Sequence, residues 1–371
     1  MRIVRVDWQP FHIPYAGSFT TAHGSDATRQ GAIIRVHSDS GAIGHGEASP
    51  LTAFGGGTLD DALAHIAQLA AALLGTTLEA GLALLDQLDD TLPGMSATAC
   101  GFDTALLDLQ AQAMGRPLAY LFAEHPQPSV PVNATVGARD VAAACRAAAQ
   151  AKQAGFGCVK LKVGVLDSPA AELARIAAVR EQLGPDVRLR IDANAAWEED
   201  EAIDILRAAE QYRIELVEQP VADLAALARV RAASRIPIAA DESVGGPAQA
   251  TDVINAAAAD LLVVKPMMAG GLRRACAIIK QALQAGLHAF VTSTIDAGIG
   301  VAAALHLAAT LPTSLACGLA TGTLLSSDLL TEPLVVHHGA MPLPSRPGLG
   351  VQLDPHSLAQ YAIGPWSEVT R

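Results

Sequence analysis

The chain has 371 residues, of which 51% are hydrophobic, and its formal net charge is −12. This length accommodates a barrel of about 250 residues together with a second module. The acidic charge argues against a nucleic-acid binder, which needs a basic surface. The five cysteines are scattered without a CxxC pair, as is typical of a reducing compartment. Neither a signal sequence nor a membrane-spanning apolar run is found, so we expect a cytoplasmic protein without membrane contact.

Residues 1–125 predict an α+β module. Three segments before residue 50 alternate apolar and polar side chains, a pattern typical of an antiparallel meander of strands. A polar, glycine-rich segment at residues 16–25 separates the first two and is a candidate mobile loop. Apolar residues at helical spacing follow between residues 59 and 122.

The pattern changes at residues 126–330, where short β-branched runs alternate with helical stretches. Eight such units predict an α/β fold, a closed (β/α)8 barrel of the TIM type. Residues 331–371 are expected to return to the N-terminal module, so that both ends of the sequence form an α+β capping domain. The eight predicted strands lie at residues 130–136, 158–163, 187–192, 214–218, 236–241, 260–265, 288–293 and 316–321.

Three consecutive predicted strands end in a carboxylate, namely Asp192, Glu218 and Asp241. Because neighbouring strands lie about 4.8 Å apart, these groups repel one another unless a cation lies between them. An all-oxygen ligand set suits Mg²⁺, with Mn²⁺ as a substitute. Asn194 is expected to point toward this site, and Glu242 either supports it or caps the next helix. The alternative is that each acid caps the helix that follows it.

Lysines end two further strands. Lys160 and Lys162 share one face of the second predicted strand, which places both in the barrel mouth. Lys265 ends the sixth strand, roughly across the barrel. Adjacent ammonium groups and a metal lower one another's proton affinity, so a lysine here can act as a base, while Lys265 serves the other side of a substrate or stabilises an enediolate. For Lys160 and Lys162, the alternative is two solvated surface lysines.

These charged residues lie in five motifs, which read Val159-Lys-Leu-Lys-Val163, Ile191-Asp-Ala-Asn194, Val217-Glu-Gln-Pro220, Ala240-Asp-Glu-Ser243 and Val264-Lys-Pro266. Together the motifs resemble the enolase superfamily, and within it the muconate-lactonising-enzyme subgroup, over essentially the whole chain. The resemblance implies Mg²⁺-dependent removal of a proton next to the carboxylate of a small-molecule substrate. By analogy with such enzymes, we expect a homo-oligomer.

Within the subgroup the chain is most similar to o-succinylbenzoate synthases, notably in the stretch Gly318-Leu-Ala-Thr-Gly-Thr-Leu-Leu-Ser-Ser-Asp328. Dipeptide epimerases generally hold the substrate ammonium with an Asp-x-Asp on the last strand, whereas residues 316–323 contain no carboxylate. The resemblance implies a lyase that dehydrates 2-succinyl-6-hydroxy-2,4-cyclohexadiene-1-carboxylate in menaquinone synthesis. In that reaction Lys162 removes the proton and returns it to the departing hydroxide, Lys160 supports Lys162, and Lys265 stabilises the enediolate.

Other functions remain open. Two lysines on opposite sides of a substrate would also serve an N-succinylamino acid racemase or a dipeptide epimerase, and a muconate-type cycloisomerase is a further alternative. From a different class of function, a barrel that binds a ligand without catalysis is retained as well.

Four residues are candidates for contact with the substrate. His23 lies in the polar loop, which in this superfamily closes over the substrate, and its alternative is an ordinary loop residue. Arg29 either binds a succinyl carboxylate or forms an ordinary salt bridge. Ser293 and Thr294 end the seventh predicted strand and are placed to form hydrogen bonds with the substrate. Asp296, just beyond, is interpreted as the N-cap of the next helix.

Overall fold

The computed structural model describes residues 1–16, 27–89, 91–166, 168–312 and 314–370. Residues 17–25 of the predicted polar loop, among them His23, lie outside the described residues. Within these ranges no helix combines the length and the apolar character that a membrane span requires. The buried apolar side chains form two clusters, one in the N-terminal module and a larger one in the barrel.

The N-terminal module is an antiparallel sheet packed against helices, as the alternating pattern predicted. β1 (Ile3–Pro14) pairs antiparallel with β2 (Thr28–Ser38) along most of its length, and β2 pairs antiparallel with β3 (Ile43–Ala48). The side chain of Thr58 accepts a hydrogen bond from the backbone N–H of Asp61, which completes a capping box at the start of α1. The elements are β1 (Ile3–Pro14), β2 (Thr28–Ser38), β3 (Ile43–Ala48), α1 (Leu59–Leu73), α2 (Leu78–Leu85) and α3 (Met95–Ala113).

Glycines let β3 lie directly on the backbone of α3. A Cβ atom built on Gly46 would lie 1.8 Å from the carbonyl oxygen of Gly101, and one on Gly44 would lie 2.0 Å from that of Ala105. No side chain fits at these two points. The backbones of β3 and α3 are therefore in direct contact just before the residues that follow β3.

The central part of the chain is a parallel sheet of seven strands in the order β11-β10-β9-β8-β7-β6-β5, with helices between them. The strands are β5 (Ala134–Val136), β6 (Cys158–Lys162), β7 (Arg188–Asp192), β8 (Ile214–Glu218), β9 (Ile238–Ala240), β10 (Leu261–Val264) and β11 (His288–Val291). The helices are α4 (Val141–Gln153), α5 (Pro169–Leu183), α6 (Glu199–Ala209), α7 (Leu224–Ala233), α8 (Pro247–Asn255), α9 (Pro266–Ala269), α10 (Leu272–Gln284) and α11 (Gly298–Ala308).

Two residues close this sheet into a ring. Cys317 forms a parallel bridge with Val132, just before β5, and Gly318 forms one with Thr292, just after β11. These two residues therefore act as the eighth strand, and the predicted (β/α)8 barrel with an α+β cap is confirmed. The eighth strand is much shorter than predicted.

The first predicted strand is divided. Its first half belongs to β4 (Ser129–Pro131), which pairs antiparallel with β12 (Ala340–Pro342), and only its second half is the barrel strand β5. After β12 come α12 (Pro355–Tyr361) and β13 (Ser367–Thr370). β13 pairs antiparallel with β1, which gives the sheet order β13-β1-β2-β3. The C-terminal segment thus contributes an edge strand to the capping domain.

Substitution Gly46→Ala should destabilise the capping domain, because the added methyl group would overlap the backbone of α3. We expect the free energy of unfolding to fall by about 3 kcal/mol, at the upper end of what overpacking costs. Urea denaturation measures this loss. Gly137→Ala is the matched control, since a Cβ there meets no atom within 4 Å, and equal effects of the two substitutions would contradict the close approach.

Candidate active site

The register of three neighbouring strands places charged residues in one row at their carboxyl ends. Lys162 on β6 lies opposite Asp192 on β7, and Asp192 lies opposite Glu218 on β8. Glu218 in turn pairs with Ala239 on β9, two residues before Asp241. Because the strands are parallel, these side chains all stand at the rim where the βα loops begin.

Lysine side chains contact each of the three carboxylates. The Nζ of Lys160 lies 2.9 Å from Asp192 Oδ2 and 2.9 Å from Glu218 Oε2, so that one ammonium group contacts two acids. Lys162 Nζ lies 2.6 Å from Asp192 Oδ2. Across the barrel, Lys265 Nζ lies 2.5 Å from Asp241 Oδ1. The structure therefore brings together the three predicted acids and the three predicted lysines.

The two residues predicted behind the metal ligands connect this array to its surroundings. Asn194 accepts a hydrogen bond from Lys162 Nζ at 2.7 Å, and its amide nitrogen donates to Glu242 Oε1 at 2.9 Å. Burial and the nearby Asp241 carboxylate raise the pKa of Glu242 to about 7. Asn194 thus links a lysine of the site to a carboxyl group that titrates near neutral pH.

The burial of this array makes its charges interdependent. Burial alone lowers the pKa of Lys160, but the surrounding carboxylates of Asp192, Glu218 and Asp241 outweigh burial and raise that pKa above its usual value. Burial favours protonation of Asp192, yet the two lysines beside it hold its pKa far below the usual range. The surrounding carboxylates therefore keep Lys160 charged.

The donor set fits a hard divalent cation. Glu218 Oε1 and Asp241 Oδ1 are buried oxygens without a well-oriented hydrogen-bond donor, although Lys265 approaches the latter as an ion pair. Burial raises the pKa of Glu218, and it exceeds the opposing effect of Lys160. Among the described residues, no three His, Cys, Asp or Glu side chains lie close enough together to form a metal-binding cluster as they stand. Buried carboxylate oxygens of this kind are the ligands that Mg²⁺ prefers.

The predicted substrate contacts at the seventh strand face different partners. The hydroxyl of Ser293 lies 2.8 Å from that of Thr321, which follows the eighth strand. The hydroxyl of Thr294 instead donates to Asp296 and accepts from Arg29 Nη2 at 3.3 Å. Ser293 is therefore joined to the neighbouring barrel loop, whereas Thr294 is engaged by the capping domain.

Arg29 lies inside the protein, with 3% of its surface exposed. Its guanidinium donates to the carbonyl oxygens of Ser49 and Pro50 and lies 3.6 Å from Asp296. This arrangement corresponds to the salt-bridge alternative considered from the sequence and leaves the guanidinium no free side for a succinyl carboxylate.

The interpretation of Asp296 as a helix N-cap is wrong. α11 has Ala297 as its N-cap residue, without a side-chain cap from its own segment. Instead Glu47, at the end of β3, accepts hydrogen bonds from the backbone N–H groups of Ala297 and Gly300, both at 2.8 Å. A carboxylate of the capping domain therefore caps a barrel helix, where it also complements the positive end of the helix dipole.

Sequence reasoning missed two other neighbours of the charged array. The ring of Phe54, from the capping domain, lies 3.8 Å from Lys265 Nζ. Gln219 is fully buried, and its side-chain oxygen accepts the backbone N–H of Asp241 at 2.9 Å. Gln219 directly follows Glu218 within a motif, which was the available signal. Nothing local to Phe54 indicates its contact with a residue so distant in sequence.

The backbone is strained at the same rim. Asn194, Ala195, Gln219 and Ile295 have positive φ angles of 45°, 62°, 34° and 60°, and each follows a barrel strand. Such conformations are unfavourable for non-glycine residues and cluster at functional sites. They support the assignment of this rim as the active site.

Comparison with known proteins establishes the family. Residues 2–123 match the N-terminal domain of the mandelate racemase / muconate lactonizing enzyme family, and residues 142–357 match the enolase C-terminal domain-like family. The chain therefore belongs to the enolase superfamily, in its muconate-lactonizing-enzyme-like subgroup, which confirms the resemblance seen in the motifs.

Similar proteins carry out different reactions. The chain is 34% identical to the L-Ala-D/L-Glu epimerase of Bacillus subtilis (strain 168) over 358 residues, 95% of this chain and 97% of the relative. It is 40% identical to the o-succinylbenzoate synthase of Thermobifida fusca (strain YX) over 241 residues, 64% of this chain and 72% of the relative. A solved dipeptide epimerase of Enterococcus faecalis V583, complexed with Mg and L-Leu-L-Tyr, is similar with a TM-score of 0.89 at 29% identity, covering 95% of this chain and 99% of that one.

The buried Glu47 predicts a pH effect on stability. Burial and the neighbouring Asp296 raise its pKa from 4.5 to about 7. Between these values the folded protein binds more protons than the unfolded chain, so the free energy of unfolding should fall as the pH rises from 4.5 to 7. We expect Glu47 to contribute a loss on the order of 3 kcal/mol, and Glu47→Gln to remove this contribution from the pH dependence.

Urea denaturation of the wild type and of Glu47→Gln at pH 5 and pH 7 measures this difference. Glu124, whose side chain is 89% exposed, provides the matched control Glu124→Gln, which should keep the wild-type slope. Parallel stability curves for the wild type and Glu47→Gln would contradict the prediction.

Proposed function

We propose that this enzyme is a Mg²⁺-dependent lyase that dehydrates 2-succinyl-6-hydroxy-2,4-cyclohexadiene-1-carboxylate to o-succinylbenzoate. The observation that carries the proposal is the neutral end of the eighth strand. Residues 316–323 contain no carboxylate, and the hydroxyl of Thr321 instead lies 2.8 Å from that of Ser293. A pair of hydroxyl groups suits an uncharged or anionic group of the substrate and offers no counter-charge to an ammonium group.

Asp192, Glu218 and Asp241 would hold the metal, with Mg²⁺ as the preferred ion and Mn²⁺ as a substitute. Two of these acids present buried oxygens that lack a well-oriented donor, which is a cost that a divalent cation would remove. When bound, the ion supplies Lewis-acid stabilisation of the negative charge that develops on the substrate carboxylate. Asn194 and Glu242 keep this edge of the site in place through their mutual hydrogen bond.

Lys162 is the proposed base. Its Nζ lies 2.6 Å from Asp192 Oδ2 and 2.7 Å from Asn194 Oδ1, and these two contacts hold the nitrogen at the rim. The C–H bond next to the substrate carboxylate breaks, its proton goes to the neutral amine of Lys162, and its electron pair enters the enediolate. The enediolate then expels the hydroxyl group of the neighbouring ring carbon. Lys162 returns its proton to this group, so that water leaves and the ring becomes aromatic.

The other two lysines supply fixed positive charge. Lys160, whose pKa the surrounding acids raise, stays protonated beside Lys162. Lys265 follows β10, which is the sixth barrel strand, and therefore stands across the ring from β6, the second strand. Its ammonium group is confined between Asp241 and the ring of Phe54, so it can stabilise the enediolate without reorganisation.

The second candidate is a racemase or epimerase, acting on N-succinylamino acids or on dipeptides. The specific observation that favours it is the placement of Lys162 and Lys265 on opposite sides of the barrel, which permits removal of a proton from one face and its return to the other. The relative from Bacillus subtilis, similar over 95% of this chain, is an epimerase. Against a dipeptide substrate stands the sequence of residues 316–323, which contains no carboxylate to bind a substrate ammonium group.

A substrate panel distinguishes the candidates. We expect the purified enzyme with Mg²⁺ to dehydrate the cyclohexadiene carboxylate with a kcat/KM at least about 100-fold above its value for N-succinylamino acids or dipeptides. Ultraviolet absorbance follows the dehydration, and polarimetry with solvent-deuterium incorporation follows racemisation. Faster turnover of a dipeptide would refute the proposal, and Mg²⁺ binding without turnover or deuterium exchange on any acid would favour a ligand-binding barrel.

Substitution Lys162→Ala should abolish turnover, with a loss of at least about 1,000-fold in kcat, because proton removal loses its base. The metal ligands remain, so calorimetry should still detect Mg²⁺ binding. Lys152→Ala, at an exposed lysine near the end of α4, is the matched control and should leave kcat unchanged. Wild-type kcat in Lys162→Ala would remove this lysine from the mechanism.

Substitution Glu218→Gln tests the metal site independently of the substrate. The amide carries no charge, so the Kd for Mg²⁺ should rise at least about tenfold. Isothermal titration calorimetry measures the change, and Glu215→Gln, on the same strand but three residues nearer its start, serves as control. An unchanged Mg²⁺ titration for Glu218→Gln would discredit the ligand assignment.

A further inference from the structure

Arg29 connects the capping domain to the barrel through one guanidinium group. On the side of the capping domain, Nη2 donates to the carbonyl oxygen of Ser49 at 2.5 Å and Nη1 donates to that of Pro50 at 2.6 Å. These two carbonyls lie two and three residues after Glu47, which caps α11. The guanidinium is therefore anchored to a segment that is itself fixed on the barrel.

On the barrel side the same group holds the turn after β11. Nε donates to the carbonyl oxygen of Ile295 at 3.1 Å, and Nη2 reaches the Thr294 hydroxyl at 3.3 Å. Asp296 lies 3.6 Å away and balances the charge. A planar guanidinium can satisfy several oxygens in fixed directions at once, which the ammonium of a lysine cannot do.

The turn held by Arg29 is strained. Ile295 has a φ angle of 60°, and left-handed geometry is a genuine outlier for a β-branched residue. Its carbonyl faces Arg29, while its N–H donates to the hydroxyl oxygen of Ser293 at 3.2 Å. The strained peptide thus links Arg29 to Ser293, the residue of this loop that is predicted to contact the substrate.

The same anchor reaches the loop of the sixth barrel strand. The backbone N–H of Ser49 lies 3.3 Å from the sulfur of Met267, two residues after Lys265. The segment that Arg29 binds on the capping domain therefore touches the chain beside one proposed catalytic lysine. Through Ser49, the guanidinium group of Arg29 therefore connects the loops after the sixth and seventh barrel strands.

We propose that Arg29 is a positioning residue, which holds residues 293–296 in their strained turn so that the Ser293 hydroxyl faces the substrate. The kinetic part of this inference rests on the proposed function, because it needs a substrate, while the conformational part does not. Loss of Arg29 should weaken substrate binding more than it slows the chemical step, since the metal ligands and Lys162 belong to other strands.

The test compares Arg29→Lys and Arg29→Met with the matched control Arg35→Lys. Arg35 lies on the same strand and pairs with Asp7 at 2.5 Å, away from the rim. Each protein is assayed for kcat and KM with the cyclohexadiene carboxylate, for Mg²⁺ affinity by calorimetry, and for hydrogen exchange of the amides of residues 293–297.

For both Arg29 variants we expect KM to rise at least about tenfold, kcat to change less than about threefold, and Mg²⁺ affinity to stay constant. Exchange of the amides of residues 293–297 should accelerate at least about tenfold, while the barrel strands keep wild-type protection. Arg35→Lys should show none of these changes. If Arg29→Met does not fold, Arg29→Lys carries the comparison alone.

An unchanged KM with unchanged exchange at residues 293–297 would overturn the inference. Acceleration of exchange throughout the barrel would also overturn it, because it would reveal a general structural role. If the wild type dehydrates no cyclohexadiene carboxylate, the proposed function fails but the exchange measurement still decides the role of Arg29: local acceleration supports it, and uniform or absent acceleration refutes it.

Discussion

The contact of one ammonium group with two buried carboxylates is the constraint on which this site depends. Lys160 Nζ lies 2.9 Å from both Asp192 and Glu218, which are almost completely excluded from solvent. Buried acids at adjacent strand ends are tolerable only when positive charge neutralises them. The barrel rim therefore sets three lysine side chains against three buried carboxylates, and the proposed divalent ion would take over part of this charge compensation.

The capping domain contributes structure to the barrel as well as cover. Glu47 caps α11, Phe54 lies against Lys265, and Arg29 holds the turn around Ile295. All three come from β2, β3 or the segment just after β3, the part of the capping domain that the glycines of β3 fix on α3. The geometry of the active rim thus results from both domains.

Sequence reasoning could locate the charged array because strand alternation and register are local properties. Asp192, Glu218 and Lys265 could be identified as site residues because each ends a β-branched run. Alternation along the strand placed Lys160 and Lys162 on one face. It could not predict the cap of α11, because Glu47 and Ala297 are 250 residues apart and Asp296 offered a plausible local cap. Likewise, the first half of the first predicted strand forms β4 outside the barrel sheet, because it pairs with β12, which lies far along the chain.

The carboxylate that β3 contributes to α11 also limits how the enzyme can be divided. Glu47 satisfies two backbone donors at the start of a barrel helix, so a barrel separated from its cap would begin that helix with uncompensated N–H groups. The two domains are consequently not interchangeable modules. A chimera that combines this barrel with the cap of another superfamily member must supply an acidic side chain at the same place, or the first turn of α11 will fray.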